Sequence, residues 1–305
     1  MDRTKYIWEK KMLDIIVFGT ISGSIILFAA LGFSMILKTE GFINVGHGQM
    51  LMLGAYFGLL GNKMGLPIVL VGILAAILCG LVGMLIFVVF ISPIKTKGIL
   101  VCLFTSVGVS YLINGLTGAI AGKGVQAFDL PPVKAMSISG YPVATPYELM
   151  VIIFGIAAAF LVHAFFNYTL MGKSIRAVSD NQDLAKLRGY NPRRTSLQVW
   201  FLASALAGIA GVFTGLIGSV HLGMGWSMLP IILAATVFGG IGSIYGVMAA
   251  AFIVGIAMEI GILVLPANYR SAIAFGLIVI IMLIRPEGLK SIWDSVMLNY
   301  SKKES

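Results

Sequence analysis

Residues 41–49 read Gly-Phe-Ile-Asn-Val-Gly-His-Gly-Gln and open a run that stays apolar to about residue 60. Asn44, His47 and Gln49 thus place two amides and an imidazole among three glycines at the mouth of a hydrophobic segment. Such groups can cover backbone that glycines loosen, because unsatisfied N–H and C=O groups at membrane depth are tolerated only where protein or a water-filled cavity covers them. Glycine-interrupted segments of this kind point to a substrate path. A second one is Ala-Thr-Val-Phe-Gly-Gly-Ile-Gly-Ser-Ile-Tyr-Gly at 235–246, which sets Thr236 and Ser243 beside Gly-rich backbone. The third polar feature is Glu259, a carboxylate inside Ala-Phe-Ile-Val-Gly-Ile-Ala-Met-Glu-Ile-Gly. Acids inside a membrane are costly and mark either a functional site or a buried partner. Asn44, His47, Gln49, Thr236, Ser243 and Glu259 are therefore the expected pathway residues. A packing role for His47 and a structural hydrogen bond for Glu259 stand beside that reading.

The surroundings demand a membrane. The chain has 305 residues, 59% hydrophobic and 11% charged, against about 25% charged in an ordinary soluble domain. Apolar runs recur at about 13–37, 41–60, 66–92, 98–121, 147–168, 197–218, 229–246, 247–265 and 270–285. Several are long enough for a hydrocarbon core of roughly 30 Å. The expected fold is all-α, a polytopic transmembrane bundle of about eight or nine segments forming a single domain over 1–305. The net charge of +9 sits in links and tails, where it orients the chain and meets anionic lipid rather than nucleic acid. Cys79 and Cys102 lie in apolar runs and read as small buried hydrophobes.

The link 169–196 carries Lys173, Arg176, Lys186, Arg188, Arg193 and Arg194, which marks the cytoplasmic side. Five apolar runs precede it, which puts the N-terminus outside; Arg3, Lys5, Lys10 and Lys11 argue for the inside. Either the basic N-terminus is tolerated outside or one early run does not cross simply, 41–60 being the suspect. Within the link, Asp180 is a candidate N-cap and Asp183 suits the first turn of a short helix. Leu184, Ala185 and Leu187 form an apolar patch, Arg188 falls in the last turn, Gly189 can close the helix and Pro192 stops it. A helix of about two turns is marginal alone, so something must pack on it. No engine is expected in the chain itself. Gly122-Lys123 lacks the following Ser or Thr, and Gly172-Lys173-Ser174 follows Asn167 where the first glycine of a phosphate loop belongs.

These pieces jointly resemble, over essentially the full length, the LivH-like permease subunits of bacterial and archaeal ABC importers for branched-chain amino acids. The matching residues are Gly41 to Gln49 with Gly54-Ala-Tyr, then Asp183, Ala185, Leu187, Gly189 and Asn191. Further along they are Ala207-Gly-Ile-Ala-Gly211, Gly239-Gly-Ile-Gly-Ser243, Glu259 and Arg285-Pro-Glu-Gly288. Relatives often carry Asn-Phe-Ala-His-Gly-Glu where this chain has Asn44-Val-Gly-His-Gly-Gln49. The resemblance implies a transport subunit, not an enzyme, in the inner membrane. It implies a second homologous, LivM-like permease, two cytoplasmic LivG/LivF-like ATPases that use ATP and Mg, and an external substrate-binding protein. It places the ATPase-coupling helix on 180–189. Urea and short-amide importers share this pattern, so they remain the alternative substrate classes. An autonomous secondary carrier is the alternative mechanism.

Overall fold

A computed structural model describes residues 3–138, 141–263, 265, 266, 269–284 and 289. The Arg285-Pro-Glu-Gly288 stretch and the basic C-terminal tail lie outside the described residues. The helices are α1 (Arg3–Glu40), α2 (His47–Lys63), α3 (Ile68–Ile86), α4 (Ile99–Ala121), α5 (Pro146–Tyr168), α6 (Leu170–Asp180) and α7 (Gln182–Leu187). Then come α8 (Pro192–Ile217), α9 (Met224–Gly239), α10 (Ile244–Ile262) and α11 (Arg270–Ile284). A π-helical turn, Phe87–Ile91, continues α3. The only named strands among the described residues form an antiparallel hairpin, β1 (Met136–Ile138) with β2 (Tyr141–Ala144). Among the described residues, six helices are long and apolar enough to cross a membrane: those beginning at Lys11, Ile68, Ile99, Pro146, Pro192 and Ile244. The protein is therefore a multi-pass membrane bundle. The expected eight or nine segments are reached only by adding helices too short to span alone, α2, α9 and α11.

The two ends of the bundle are fixed by pairs of polar groups. At one end Lys38 meets Asp180 at 2.8 Å, and the Gln182 amide donates to Thr39 O at 3.2 Å. Lys95 also meets Glu40 there, at 2.7 Å. The last turn of α1 thus lies with the basic link, at the basic-loop end. At the other end Lys63 donates to Gln126 at 2.8 Å, and Gln126 forms an isolated bridge with Val220. This is the hairpin end, since β1 and β2 lie in the same α4–α5 link as Gln126. Segment 41–63 therefore does cross, though as a broken element: an extended lead-in over 41–46, then α2. The N-terminal end of α1 therefore lies at the end of the bundle opposite the basic link.

Small residues set the spacing. Gly54 of α2 packs on Gly208 of α8, and a Cβ at Gly208 would lie 2.9 Å from Cys79 of α3. Gly23 of α1 meets Phe252 of α10, where a Cβ would be 2.9 Å from the Phe252 Cα. Lipid gives helices no hydrophobic reason to associate, so close backbone packing at such positions supplies much of their attraction. α3 and α4 show the opposite pattern. Leu74, Leu78, Leu81 and Leu85, with Leu100 and Phe104, stay exposed and form an apolar outer wall.

Candidate functional site: two half-helices that cross at mid-depth

α2 does not start at the membrane surface. The chain leaves α1 at Glu40, turns at Gly41 (φ 77°), and climbs back along α1. His47, the first residue of α2, then bonds through Nε2 to Ala29 O at 2.9 Å. Ala29 lies 11 residues before Glu40, or roughly 16 Å along a helix at 1.5 Å per residue, about half of a bilayer core. A carbonyl oxygen only accepts, so Nε2 carries the hydrogen in this bond. Phe33 packs edge-on against the imidazole with centroids 5.6 Å apart.

The neighbouring polar groups secure the same break. Asn44 Oδ1 accepts from Gly46 N at 3.1 Å, and Ser106 Oγ of α4 accepts from Val45 N at 3.2 Å. Gln49 Oε1 accepts from the Asn114 amide at 3.3 Å, and Asn114 also donates to Leu222 O at 2.8 Å. Asn44, His47 and Gln49 are all buried. Their first function is physical: each covers backbone or amide groups that lipid would leave unsatisfied.

Leu222 reveals a second break. After α8 ends at Ile217 at the hairpin end, residues 218–223 dip inward and α9 starts at Met224 beside Gly48. A Cβ on Gly225 would lie 2.6 Å from Gly48 O, 2.9 Å from Gly48 C and 3.0 Å from Gln49 Oε1. α9 then runs to the basic-loop end, where Gly242 lies against Lys38. The two short helices are antiparallel, and their N-termini cross in the middle of the bundle. The residues before each helix start, Gly46 and Gly223, share nearly one conformation (φ −63°, ψ −13° and φ −77°, ψ −13°). The sequence carries the same echo. Gly41-Phe-Ile-Asn-Val-Gly-His-Gly48 recurs as Gly218-Ser-Val-His-Leu-Gly-Met-Gly225, with three glycines and two aliphatic positions in register. Self-comparison would have found it. His221 stands where Asn44 does, but Met224 and Trp226 stand where His47 and Gln49 do, so the second half is the weaker signal in a search for polar residues. Asn114, which no sequence pattern marks, ties both halves to α4.

Of the other expected pathway residues, Thr236 reaches the α1 carbonyl next to the one that His47 holds, whereas Ser243 and Glu259 are not gathered here. Thr236 is buried further along α9, its hydroxyl donating to Ile232 O at 2.9 Å and lying 3.5 Å from Ala30 O. Ser243 is the N-cap of α10 at the basic-loop end, accepting from Gly246 N at 3.2 Å, so its hydroxyl serves a helix start rather than a path. Glu259 sits three residues before the end of α10 and accepts from Ser22 Oγ of α1 at 3.2 Å. That contact belongs to the α1–α10 seam, away from the crossing.

The basic link folds into two helices rather than one. α6 is capped by Thr169, whose hydroxyl accepts from Gly172 N, and buries Gly172, Ile175 and Val178 on one face. Asp180 is the last residue of α6 and is held by Lys38; the N-cap of α7 is Asn181, whose Oδ1 accepts from Asp183 N and Leu184 N at 3.1 and 3.0 Å. The asparagine displaces the aspartate from the expected role because α6 already occupies position 180. α7 has only six residues. Gly189 (φ 85°) closes it, with Gly189 N bonding Lys186 O and Tyr190 N bonding Ala185 O, the paired bonds of a Schellman cap. Ala185 is 2% exposed while Leu184 and Leu187 are 51% and 85% exposed. Arg188 occupies the C-cap position of α7 and is exposed.

Residues 15–282 match the family described as branched-chain amino acid transport system, permease component. The high-affinity branched-chain amino acid transport system permease protein LivH of Escherichia coli K12 is 27% identical over 285 residues, 89% of this chain and 92% of that protein. BraD of Pseudomonas aeruginosa, of the same description, is 27% identical over 291 residues, 91% and 95% of the two chains. The autoinducer 2 import system permease protein LsrD of Salmonella paratyphi A is 24% identical over 318 residues, 93% of each chain. With most of its length matched, the chain belongs to the branched-chain amino acid transport system permease family, whose members are membrane transport subunits and not enzymes.

Proposed function

We propose that the chain is a permease subunit of an ATP-driven importer for branched-chain amino acids, working by alternating access in a bacterial or archaeal inner membrane. The observation that carries this reading is α7. It is a short helix, capped at both ends, that is anchored by one alanine and offers two leucines to water. Unsheltered leucines on a helix pinned at both ends suit insertion into a groove of another protein. The anchors run straight to the transport core: Lys38–Asp180 and Gln182–Thr39 hold α6 and α7 to the last turn of α1. That turn feeds the extended lead-in to α2, so a push on α7 reaches the crossing through fewer than ten residues.

The partners follow from the family reading: a second, LivM-like permease, two LivG/LivF-like ATPases that bind ATP and Mg, and an external binding protein that delivers substrate. Asn44, His47, Gln49 and Thr236 then shape the crossing through which substrate passes. The test is uptake by the full complex in vesicles, with leucine, urea and autoinducer 2 as competing substrates. Leucine uptake that needs ATP and ignores an uncoupler is the expected result. Uptake that collapses with the uncoupler and proceeds without ATP identifies an autonomous carrier and overturns the proposal.

A further inference from the structure

The face of α2 that looks toward α4 is closed only near its start. There the Asn114 amide donates to Leu222 O at 2.8 Å and Gln49 Oε1 at 3.3 Å, and lies 3.5 Å from Met52 Sδ. Toward the hairpin end α4 leaves α2 and opens a cavity of about 550 Å³. Its walls include Tyr56, Leu60 and Lys63 of α2 and Ile113, Leu116 and Thr117 of α4. Small-molecule sites commonly occupy roughly 300–1,000 Å³, lined by apolar groups with a few placed polar ones. Here the polar groups are sparse and placed at different depths. Lys63 and Gln126 stand at the mouth, 2.8 Å apart. The Tyr56 hydroxyl is buried in the wall and has no hydrogen-bond partner among the described residues. One turn of α2 before Leu53, the lining residue nearest the helix start, Gln49 Nε2 is likewise buried and without a partner among the described residues, though it does not itself line the cavity.

A cleft of this shape suits a small zwitterion with an apolar side chain. The side chain finds aliphatic walls, a carboxylate is drawn by the Lys63 ammonium, and Tyr56 can accept from an ammonium or donate to a carboxylate. A sugar or other many-hydroxyl solute would leave most of its groups unpaired against the same walls. We propose that this cleft is the outward-facing substrate chamber of the chain and that Asn114 is the latch of its floor. Asn114 is a positioning residue. One amide joins α4 to both half-helices, to α2 at Gln49 and to the lead-in of α9 at Leu222, so substrate leaves toward the crossing only when those bonds part. The inference rests on the importer reading given above and assigns to it a chamber that the residues of the crossing do not themselves line.

The experiment uses the complete importer in proteoliposomes. Wild type is the blank, since both of its cysteines, Cys79 and Cys102, are buried. Thr117→Cys places a thiol in the cavity wall and Leu81→Cys places one on the exposed face of α3. Both are treated from outside with a charged methanethiosulfonate and, separately, with a membrane-soluble maleimide. The expected result is that the charged reagent modifies Thr117→Cys and not Leu81→Cys. Leucine-loaded binding protein should slow that modification at least about five-fold relative to unloaded binding protein. Modification of Thr117→Cys by the maleimide alone makes the groove a lipid-filled one and overturns the proposal; so does charged-reagent labelling that leucine leaves unchanged. The latch is read separately. Asn114→Leu should assemble normally yet lose most of the ATPase stimulation by leucine-loaded binding protein, with Asn114→Gln restoring part of it, while unchanged stimulation in Asn114→Leu rejects the latch. Wild-type leucine uptake in the same vesicles separates the two levels. Uptake without protection rejects the chamber alone, and absence of ATP-driven leucine uptake rejects the importer reading.

Discussion

Gly225→Ala tests the crossing of the half-helices directly. A Cβ at this position would lie 2.6 Å from Gly48 O, whereas ordinary contact begins at 3.4 Å, so the two helix starts must separate by about 0.8 Å. The obstacle is backbone on both sides, and no rotamer change can relieve it. Overpacking of this kind costs about 1–3 kcal/mol, and the better helix propensity of alanine returns at most about 1 kcal/mol. A net loss of about 1–2 kcal/mol is expected in thermal or denaturant unfolding of the purified complex. Transport should fall further than stability does, because the displaced backbone carries Gln49, one of the two anchors of Asn114. Gly72→Ala is the control: it lies within α3, a Cβ there meets nothing within 4 Å, and it should be neutral or slightly stabilising. Gly48→Ala made in the same protein should cost less than it does alone, since the first methyl has already opened the gap that the second needs. If Gly225→Ala behaves like Gly72→Ala in both unfolding and uptake, the crossing is not a tight contact and the reasoning fails.

Leu187→Asp should leave the fold of the chain unchanged, because that side chain is almost fully exposed, while abolishing recovery of the ATPase in a mild-detergent pull-down; retained association would remove the docking role from α7. Lys95→Met should destabilise the complex by about 3 kcal/mol, since it strands a fully buried Glu40 carboxylate, and the added change Glu40→Gln should restore most of that loss in the same unfolding assay. Lys38→Met breaks a far more exposed pair with Asp180 and should cost no more than about 1 kcal/mol, so its effect, if the relay from α7 is real, shows in ATPase coupling instead of unfolding. His47→Phe keeps ring volume beside Phe33 but removes the side-chain hydrogen bond to Ala29 O, a carbonyl within helix α1, which should cost about 1 kcal/mol in unfolding.

The membrane class, the broken character of 41–60 and the joint placement of Asn44, His47 and Gln49 could be read in the residues, because hydropathy and glycine spacing are local properties. Helix ends were less legible. Asp180 and Asn181 are both good caps, and the choice between them was made by α6, whose amphipathic face packs on the bundle and claims Asp180 first. Ser243 lies among glycines as Asn44 does, yet it caps an ordinary helix start; only depth along the bundle separates the two roles, and depth is a tertiary quantity. Glu259 followed the rule that acids at membrane depth have partners, but one of them, Ser22, is 237 residues away on α1. No local pattern encodes which helix a carboxylate will face.

The crossing also explains why so apolar a chain spends polar residues at 44, 47 and 49 and few at 221–226. Both half-helices begin at mid-depth and expose backbone there, but they are sheltered differently. The lead-in to α2 runs beside α1 and α4, and side chains must reach out to Ala29 O, Gly46 N and Asn114 to close it. The lead-in to α9 is closed mostly by backbone and by borrowed groups: Val220 pairs with Gln126, Met224 N bonds His221 O, and Leu222 O takes the Asn114 amide. One asparagine thus serves both breaks, which makes them unequal in how they can open. Parting α4 from the crossing takes from Leu222 O its side-chain donor, while the α2 side keeps His47 on α1 and Asn44 on its own backbone. On the α2 side the seal is thus held by α1 and by the segment's own backbone, and on the α9 side by a group borrowed from α4, the helix that also walls the cavity.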